Sequence, residues 1–246
     1  MSNPSNVSQW QPTIPVSQSI YEDNTDQQAP LGTEVVVGDR KFIYAQAAAS
    51  QPRGIILCAA SPLGSLNGAL APAAATSADQ LIITFTAGTI VAANFLAEGY
   101  AGISKGTMGG ATYRIRKHSA FTSAQADAQL ELYDRIYDDI AAADELGLVE
   151  NRFGSLILGS SALAVPVCMP MIDVTSAGYF WGQVKGPAAA LNQAATPAAA
   201  VLVPGTTGGV LAAATDNLAG NPFIGQNLNL AGTAGEYTPV YLSIPH

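Results

Sequence analysis

The sequence predicts a mainly β protein, with small β-barrel or sandwich domains behind an extended N-terminal arm. Short β-branched and aromatic runs recur between Gly-, Pro- and Asn-rich turns, the punctuation of an all-β chain. The stretch Gly178-Tyr-Phe-Trp-Gly-Gln-Val-Lys-Gly-Pro-Ala-Ala-Ala190 reads as an aromatic strand running into a Gly-Pro turn, and Glu236-Tyr-Thr-Pro-Val-Tyr-Leu-Ser-Ile244 as a closing strand. Beyond Asp173 only Lys185, Asp216 and Glu236 are charged, so this tail is built to pack.

Residues 1–30 are polar, with Trp10, Ile14, Val16, Ile20 and Tyr21 spaced through them. Such a segment forms no core alone. It is disordered or an arm that docks its few large side chains on a neighbour, and the regular spacing favours the arm. Thr33–Val37 and Lys41–Ala45 flank Gly38-Asp39-Arg40 as a hairpin. Ile55–Cys58 is a short apolar strand, and residues 59–79 are loop. Leu81–Thr86 is a strand with a turn at Ala87-Gly88, and Thr89–Phe95 continues as strand or a short helical turn. Tyr100–Lys105 and Ala111–His118 form the clearest hairpin, with Tyr113 and Ile115 on one face and Arg114 and Arg116 on the other. In Ala124–Val149 the spacing of Leu132, Ile136 and Ile140 suits a helix, whereas Gln129–Tyr133 alternates like a strand. The β reading favours strand to Tyr133, a helical turn or loop through Asp144, then strands at Leu146–Val149 and Ser155–Leu158. The tail adds short strands at Tyr179–Val184, Ala188–Leu191, Ala199–Val203, Gly209–Ala213, Phe223–Asn229 and Thr238–Ile244. The expected division is an arm over 1–30, a β-rich domain over 31–170 and a small C-terminal β-domain over 171–246, with a soft boundary near 165–176.

Composition narrows the function. Only 11% of the 246 residues are charged, against about 25% in a typical soluble domain. Burial in an oligomer or larger assembly suits such a chain. A net charge of −8 argues against a nucleic-acid surface, which needs clustered Lys and Arg. The one basic cluster, Lys105, Arg114, Arg116 and Lys117, is a solvated strand face or a contact for an acidic partner protein. Cys58 and Cys168 sit in separate apolar runs, which predicts buried free thiols. With His118 and His246 the only histidines, no metal, redox site or cofactor is expected. The first residues lack the basic and apolar regions of a secretory signal, and no uninterrupted apolar run reaches the roughly 18 residues of a membrane span.

Few residues suggest chemistry. Asp134, Asp138, Asp139, Asp144 and Glu145 could bind a cation or do acid/base work, but no histidine or EF-hand spacing accompanies them, and a solvated acidic face is the simpler reading. The glycines of 106–110 and 205–209 lack phosphate-loop and dinucleotide spacing. No nucleophile elbow occurs. His118, among cations, reads as a surface histidine. In a strand, Tyr179 and Trp181 point one way and Phe180 the other, giving one core face and one face for a subunit contact or, alternatively, a carbohydrate platform.

Leu31-Gly-Thr, Lys41-Phe-Ile-Tyr-Ala-Gln46, Glu98-Gly-Tyr, Tyr113-Arg-Ile-Arg-Lys-His118, the 178–189 stretch and Gly235-Glu-Tyr-Thr-Pro-Val-Tyr-Leu-Ser-Ile244 together resemble capsid decoration, or cement, proteins of tailed bacteriophages. The resemblance spans most of 31–246 and includes no catalytic signature. It implies a non-enzymatic structural virion protein, made in the host cytoplasm, that binds the outer surface of the major-capsid lattice, often as a homotrimer. Its expected partner is the major capsid protein, with no nucleic acid and no membrane. Trp10, Ile14, Val16, Ile20, Tyr21, Tyr179 and Trp181 are the expected interface residues. The alternatives are a head-fibre base or carbohydrate-binding surface module on Trp181 and nearby tyrosines, and a small hydrolase on the acidic cluster.

Overall fold

Gly38 adopts φ +64°, a conformation an L side chain resists, and so lets Gly38-Asp39 close a two-residue turn with Val37 opposite Arg40. From this hairpin outward the chain is β. The computed structural model describes residues 18–159, 165–205, 207–212, 222–228 and 231–245. In chain order come β1 (Asp23–Asn24), β2 (Glu34–Val37), β3 (Arg40–Gln46) and β4 (Leu57–Cys58). Next are β5 (Ile82–Phe85), β6 (Tyr100–Lys105), β7 (Thr112–Lys117), β8 (Ala128–Leu132) and β9 (Glu145–Val149). The last group is β10 (Ile157–Leu158), β11 (Pro166–Pro170), β12 (Tyr179–Leu191), β13 (Val201–Pro204), β14 (Val210–Ala212), β15 (Gly225–Asn227) and β16 (Tyr237–Ser243). A single 3-10 turn, Gly64–Leu66, is the only helical element among the described residues. The sheets are curled and antiparallel, as the mainly β expectation requires.

Two compact units result, Met1–Ala60 with Arg152–His246, and Ser61–Asn151. The expected boundary near 170 falls inside the first unit. There β11 is a fully buried strand, paired with β4 on one side and β12 on the other.

The 13-residue strand β12 is the hub of the first unit, since β1, β3, β11 and β16 all pair with it. Gly186-Pro187 does not turn the chain, contrary to expectation. Gly186 takes φ +96° within one continuous strand, and an added Cβ there would lie 2.5 Å from the Asp39 carbonyl. The ladder with β3 shifts register between Gln183 and Lys185, and pairing with β16 begins at Lys185, which is still opposite Lys41 of β3. The buried Gln183 amide donates to the Lys185 and Pro187 carbonyls at 3.1 and 2.9 Å, steadying the backbone on both sides of Gly186. Glycine and proline here mark a bulge rather than a hairpin.

Core lies on both faces of β12. Phe180 and Val184 join Ile43, Ile55, Leu57, Cys168 and Val240 on one side. On the other, Trp181 packs with Phe42, Tyr44, Val35, Ile20 and Ala29. Gly182 is required by packing, because a Cβ would lie 2.3 Å from Cys168 Sγ. Cys58 and Cys168 are buried free thiols. Burial pushes the Cys58 thiol up to about 11 and Cys168 higher still. A buried polar knot ties the tail. Asn192 Nδ2 donates to Thr238 Oγ1 and to the Glu236 carbonyl, Thr196 Oγ1 donates to Asn192 Oδ1 at 3.0 Å, and Asn227 Nδ2 donates to Thr196 Oγ1 at 2.9 Å.

The second unit is a five-stranded sheet in the order β5-β8-β7-β6-β9. Strict alternation puts Ile83, Phe85, Ala101, Ile103, Tyr113, Ile115, Leu130, Leu132, Leu146 and Leu148 on the buried face. Between β8 and β9 the chain forms turns, with no helix. Ile136 and Ile140 are both buried because their N–H groups donate to the Gln80 and Thr76 carbonyls, which fold the segment back onto the sheet.

Candidate contact surfaces

Of the expected interface residues, Trp10, Ile14 and Val16 lie outside the described residues. Ile20 is buried in its own chain, and Trp181 is 1% exposed. Its indole N–H donates to the Gln18 carbonyl at 3.2 Å, and its ring meets Tyr44 edge-on at 4.9 Å. Tyr179, half-buried, stacks on Tyr44 at 6.1 Å. Residues 18–24 therefore cover the outer face of the aromatic strand from within the same chain. The Gln18 side chain donates to the Glu22 and Tyr179 carbonyls and accepts from Tyr44 Oη. Asp23 Oδ2 accepts two hydrogen bonds from Thr175, both 2.7 Å. Both faces of the strand are core, so the interface role assigned to Trp181 and Ile20 is corrected to a packing role. The same burial removes Trp181 as a sugar platform. Tyr21 stays exposed, its hydroxyl 3.4 Å from the Arg40 guanidinium.

The groups that suggested chemistry are held in structural contacts. His118 is buried rather than on the surface. Its Nε2 accepts from the Leu96 N–H at 3.0 Å, so Nδ1 carries the proton and donates to the Ser119 carbonyl at 2.7 Å. Burial holds this imidazole below its ordinary range, against the opposing effect of the Ser119 bond. Asp144, also buried, accepts from the Thr107 and Ala141 N–H groups, which brings two loops together. Asp139 accepts from the Ala78 N–H at 2.7 Å, and Asp138 from the Asp139 N–H. Among the described residues no group of three His, Cys, Asp or Glu side chains is placed to hold a metal ion. The basic cluster is paired throughout. Lys105 meets Glu145 at 2.7 Å, Arg114 meets Glu98 at 3.4 Å, and Arg116 and Lys117 share Glu131 at 2.9 and 3.0 Å.

The outward face of the five-stranded sheet is different. Register aligns Val149, Tyr100, Arg114 and Tyr133 in one row across β9, β6, β7 and the residue that follows β8. Val149, Tyr100 and Tyr133 are each close to half exposed, and the Arg114 guanidinium lies 5.3 Å from the Tyr133 ring centroid. Single exposed apolar residues are ordinary, whereas a contiguous set marks a contact surface. In the next row Gly147 faces Gly102, which faces Thr112. Gly102 and Gly147 line a groove of about 240 Å³ whose walls include Tyr100 and Val149. Sequence alternation identified the basic residues of this face but not the row, because the row depends on which strands become neighbours.

No protein-family model, curated protein or solved structure matched the chain.

Proposed function

We propose that the chain is a structural virion protein that binds the outside of a phage capsid lattice as a homotrimer and stabilises contacts between major capsid subunits. The observation that carries this reading is the outward row of Val149, Tyr100, Arg114 and Tyr133, a rigid sheet face that spends large side chains on exposure. Half-exposed tyrosines beside an arginine are the side chains that dominate protein contacts. Three of the segments that resemble decoration proteins also come together at β12, whereas Glu98–Tyr100 and Tyr113–His118 lie in the second unit. Lys41–Gln46 lies in β3, 178–189 in β12 and 235–244 in β16, and β12 pairs with both of the others. Many copies on a lattice would bind by avidity without a tight single contact. Purified particles that contain the chain test the proposal by imaging. Density for it on the outer capsid surface is expected, with reduced occupancy for the Tyr100→Ala, Tyr133→Ala double variant. Particles whose outer surface lacks the chain would overturn the reading.

A further inference from the structure

The outer face of β12 is covered along only part of its length. Ile20 and Ala29 lie in one cluster with Trp181 and Tyr44, and Gln18 is bonded to both aromatic side chains. We propose that residues 1–17 of the same chain continue this cover across the outward face of β12 and β16, with Trp10 seated in a pocket beside Tyr237. The inference is independent of the capsid reading, since it concerns one chain folded on itself.

Register defines the uncovered stretch. Ala188 and Ala190 join the cluster of Phe180, so Pro187 and Ala189 continue on the side of Trp181. Ladder partners place Tyr241 beside Pro187 and Pro239 beside Ala189, and extend the first row through Gln226 to Val201. Tyr237, Tyr241 and Val201 are exposed. Among the described residues after Lys185, only Glu236 is charged. Beside Ala189 the face deepens into a pocket of about 490 Å³, lined by Arg53, Gly54, Pro170, Met171, Ala189 and Tyr237. Gly54 makes room for the Tyr237 ring, because an added Cβ would lie 2.5 Å from it, and Tyr237 Oη donates to the Arg53 carbonyl at 3.3 Å. Met171 also packs against the Trp181 cluster, so the pocket adjoins the part of the face that is already covered.

Reach, charge and local conformation select the occupant. The Gln18 carbonyl accepts from the Trp181 indole. Trp10 precedes Gln18 by about eight residues, an extended span of about 26 Å. Ala189 follows Trp181 along β12 by about the same number, again about 26 Å. Residues 1–17 contain no Asp, Glu, Lys or Arg. A neutral segment thus meets a nearly neutral face, and no unpaired charge is buried. The one arginine of the pocket, Arg53, is held by Asp173 at 2.9 Å. An arginine paired in this way keeps its guanidinium plane for stacking on an indole. Pro12-Thr-Ile-Pro15 has the spacing of a polyproline II ligand. Such segments are preformed and dock on aromatic-lined grooves. Tyr237 and Tyr241 flank Pro239 on this face and supply the aromatic rings.

Acrylamide quenching of tryptophan fluorescence tests this on the full-length chain. The chain has two tryptophans, and Trp181 is 1% exposed, so the difference between wild type and Trp10→Phe isolates Trp10. Trp10 should be shielded, equally so over a hundredfold dilution. Ala189→Arg, at an exposed position of the pocket, should raise its quenching at least threefold with circular dichroism unchanged. Peroxide oxidation of Met171 gives a readout that needs no tryptophan. Deleting residues 2–16 should speed it at least threefold, with the buried Met108 and Met169 as internal controls. Four results would overturn the inference. They are a wild-type Trp10 quenched as readily as free tryptophan, quenching indifferent to Ala189→Arg, a Met171 rate unchanged by the deletion, and shielding lost on dilution, which would assign the face to the segment of a second copy.

Discussion

Replacing Trp181 with alanine separates a core residue from a contact residue. The side chain is 1% exposed, packs against Tyr44 at 4.9 Å and donates to the Gln18 carbonyl. Truncating a buried tryptophan costs about 3–5 kcal/mol, and a typical hydrogen bond contributes about 0.5–1.5 kcal/mol. Trp181→Phe keeps most of the apolar area, loses the N–H donor and leaves a smaller void, so about 1–2 kcal/mol is expected. With a urea dependence of roughly 2 kcal/mol per molar, the alanine variant should unfold about 2 M earlier. Far-ultraviolet circular dichroism is the suitable probe, because the substitution removes one of only two tryptophans. Hydrogen exchange at Ile20–Asn24 gives a second readout. It should accelerate in both variants, since the indole N–H that holds Gln18 is gone in each. An alanine variant less than about 1 kcal/mol weaker than wild type would refute the core assignment and return Trp181 to the surface.

Three further outcomes follow from the same structure. His118 is held neutral by burial, so as pH falls below its ordinary 6.5 the unfolded chain takes up the proton first and stability declines from pH 7 toward 5; chemical denaturation of His118→Gln should show a smaller decline, and an identical pH profile would count against the buried tautomer. Asn192→Ala strips the polar knot of its donor to Thr238 and its acceptor for Thr196, which should cost about 2–3 kcal/mol; a change within 0.5 kcal/mol, the scale of an ordinary surface substitution, would show that the knot contributes little. Gly186→Ala forces a side chain into φ +96° and against the Asp39 carbonyl, so a loss of at least about 1 kcal/mol is expected; an unchanged denaturation midpoint would mean that the bulge relaxes at no cost.

Local chemistry made half of this fold legible. Gly38-Asp39 between β-branched runs specified a hairpin, and the alternation of Tyr113, Arg114, Ile115 and Arg116 assigned both faces of β7. Alternation in Gln129–Tyr133 outweighed the four-residue spacing of Leu132, Ile136 and Ile140, because those isoleucines are buried from a turn rather than a helix. Gly186-Pro187 misled, since the same dipeptide serves a turn or a bulge and only the partner strands decide between them. β11 went unread because Pro166 and Pro170 look like loop punctuation, although both lie in a buried strand. The contact row was the least accessible part. Tyr100 and Tyr133 become neighbours of Arg114 only through β6 and β8, and Trp181 looked available only while Gln18–Asn24 had no known place.

The hub strand also sets a schedule for synthesis. Trp181 bonds to Gln18, 163 positions earlier. At about 5–20 residues per second, that interval lasts roughly 8–33 s on the ribosome. For most of it, once Gln46 has been made, the β2–β3 hairpin waits with Phe42 and Tyr44 uncovered, and an isolated two-stranded hairpin is marginal in water. Residues 61–151 meanwhile supply every strand of their own sheet. A nascent chain halted near Asn151 would hold one finished unit and one orphaned, sticky ribbon, so the hazard of misassembly is concentrated before β12 emerges.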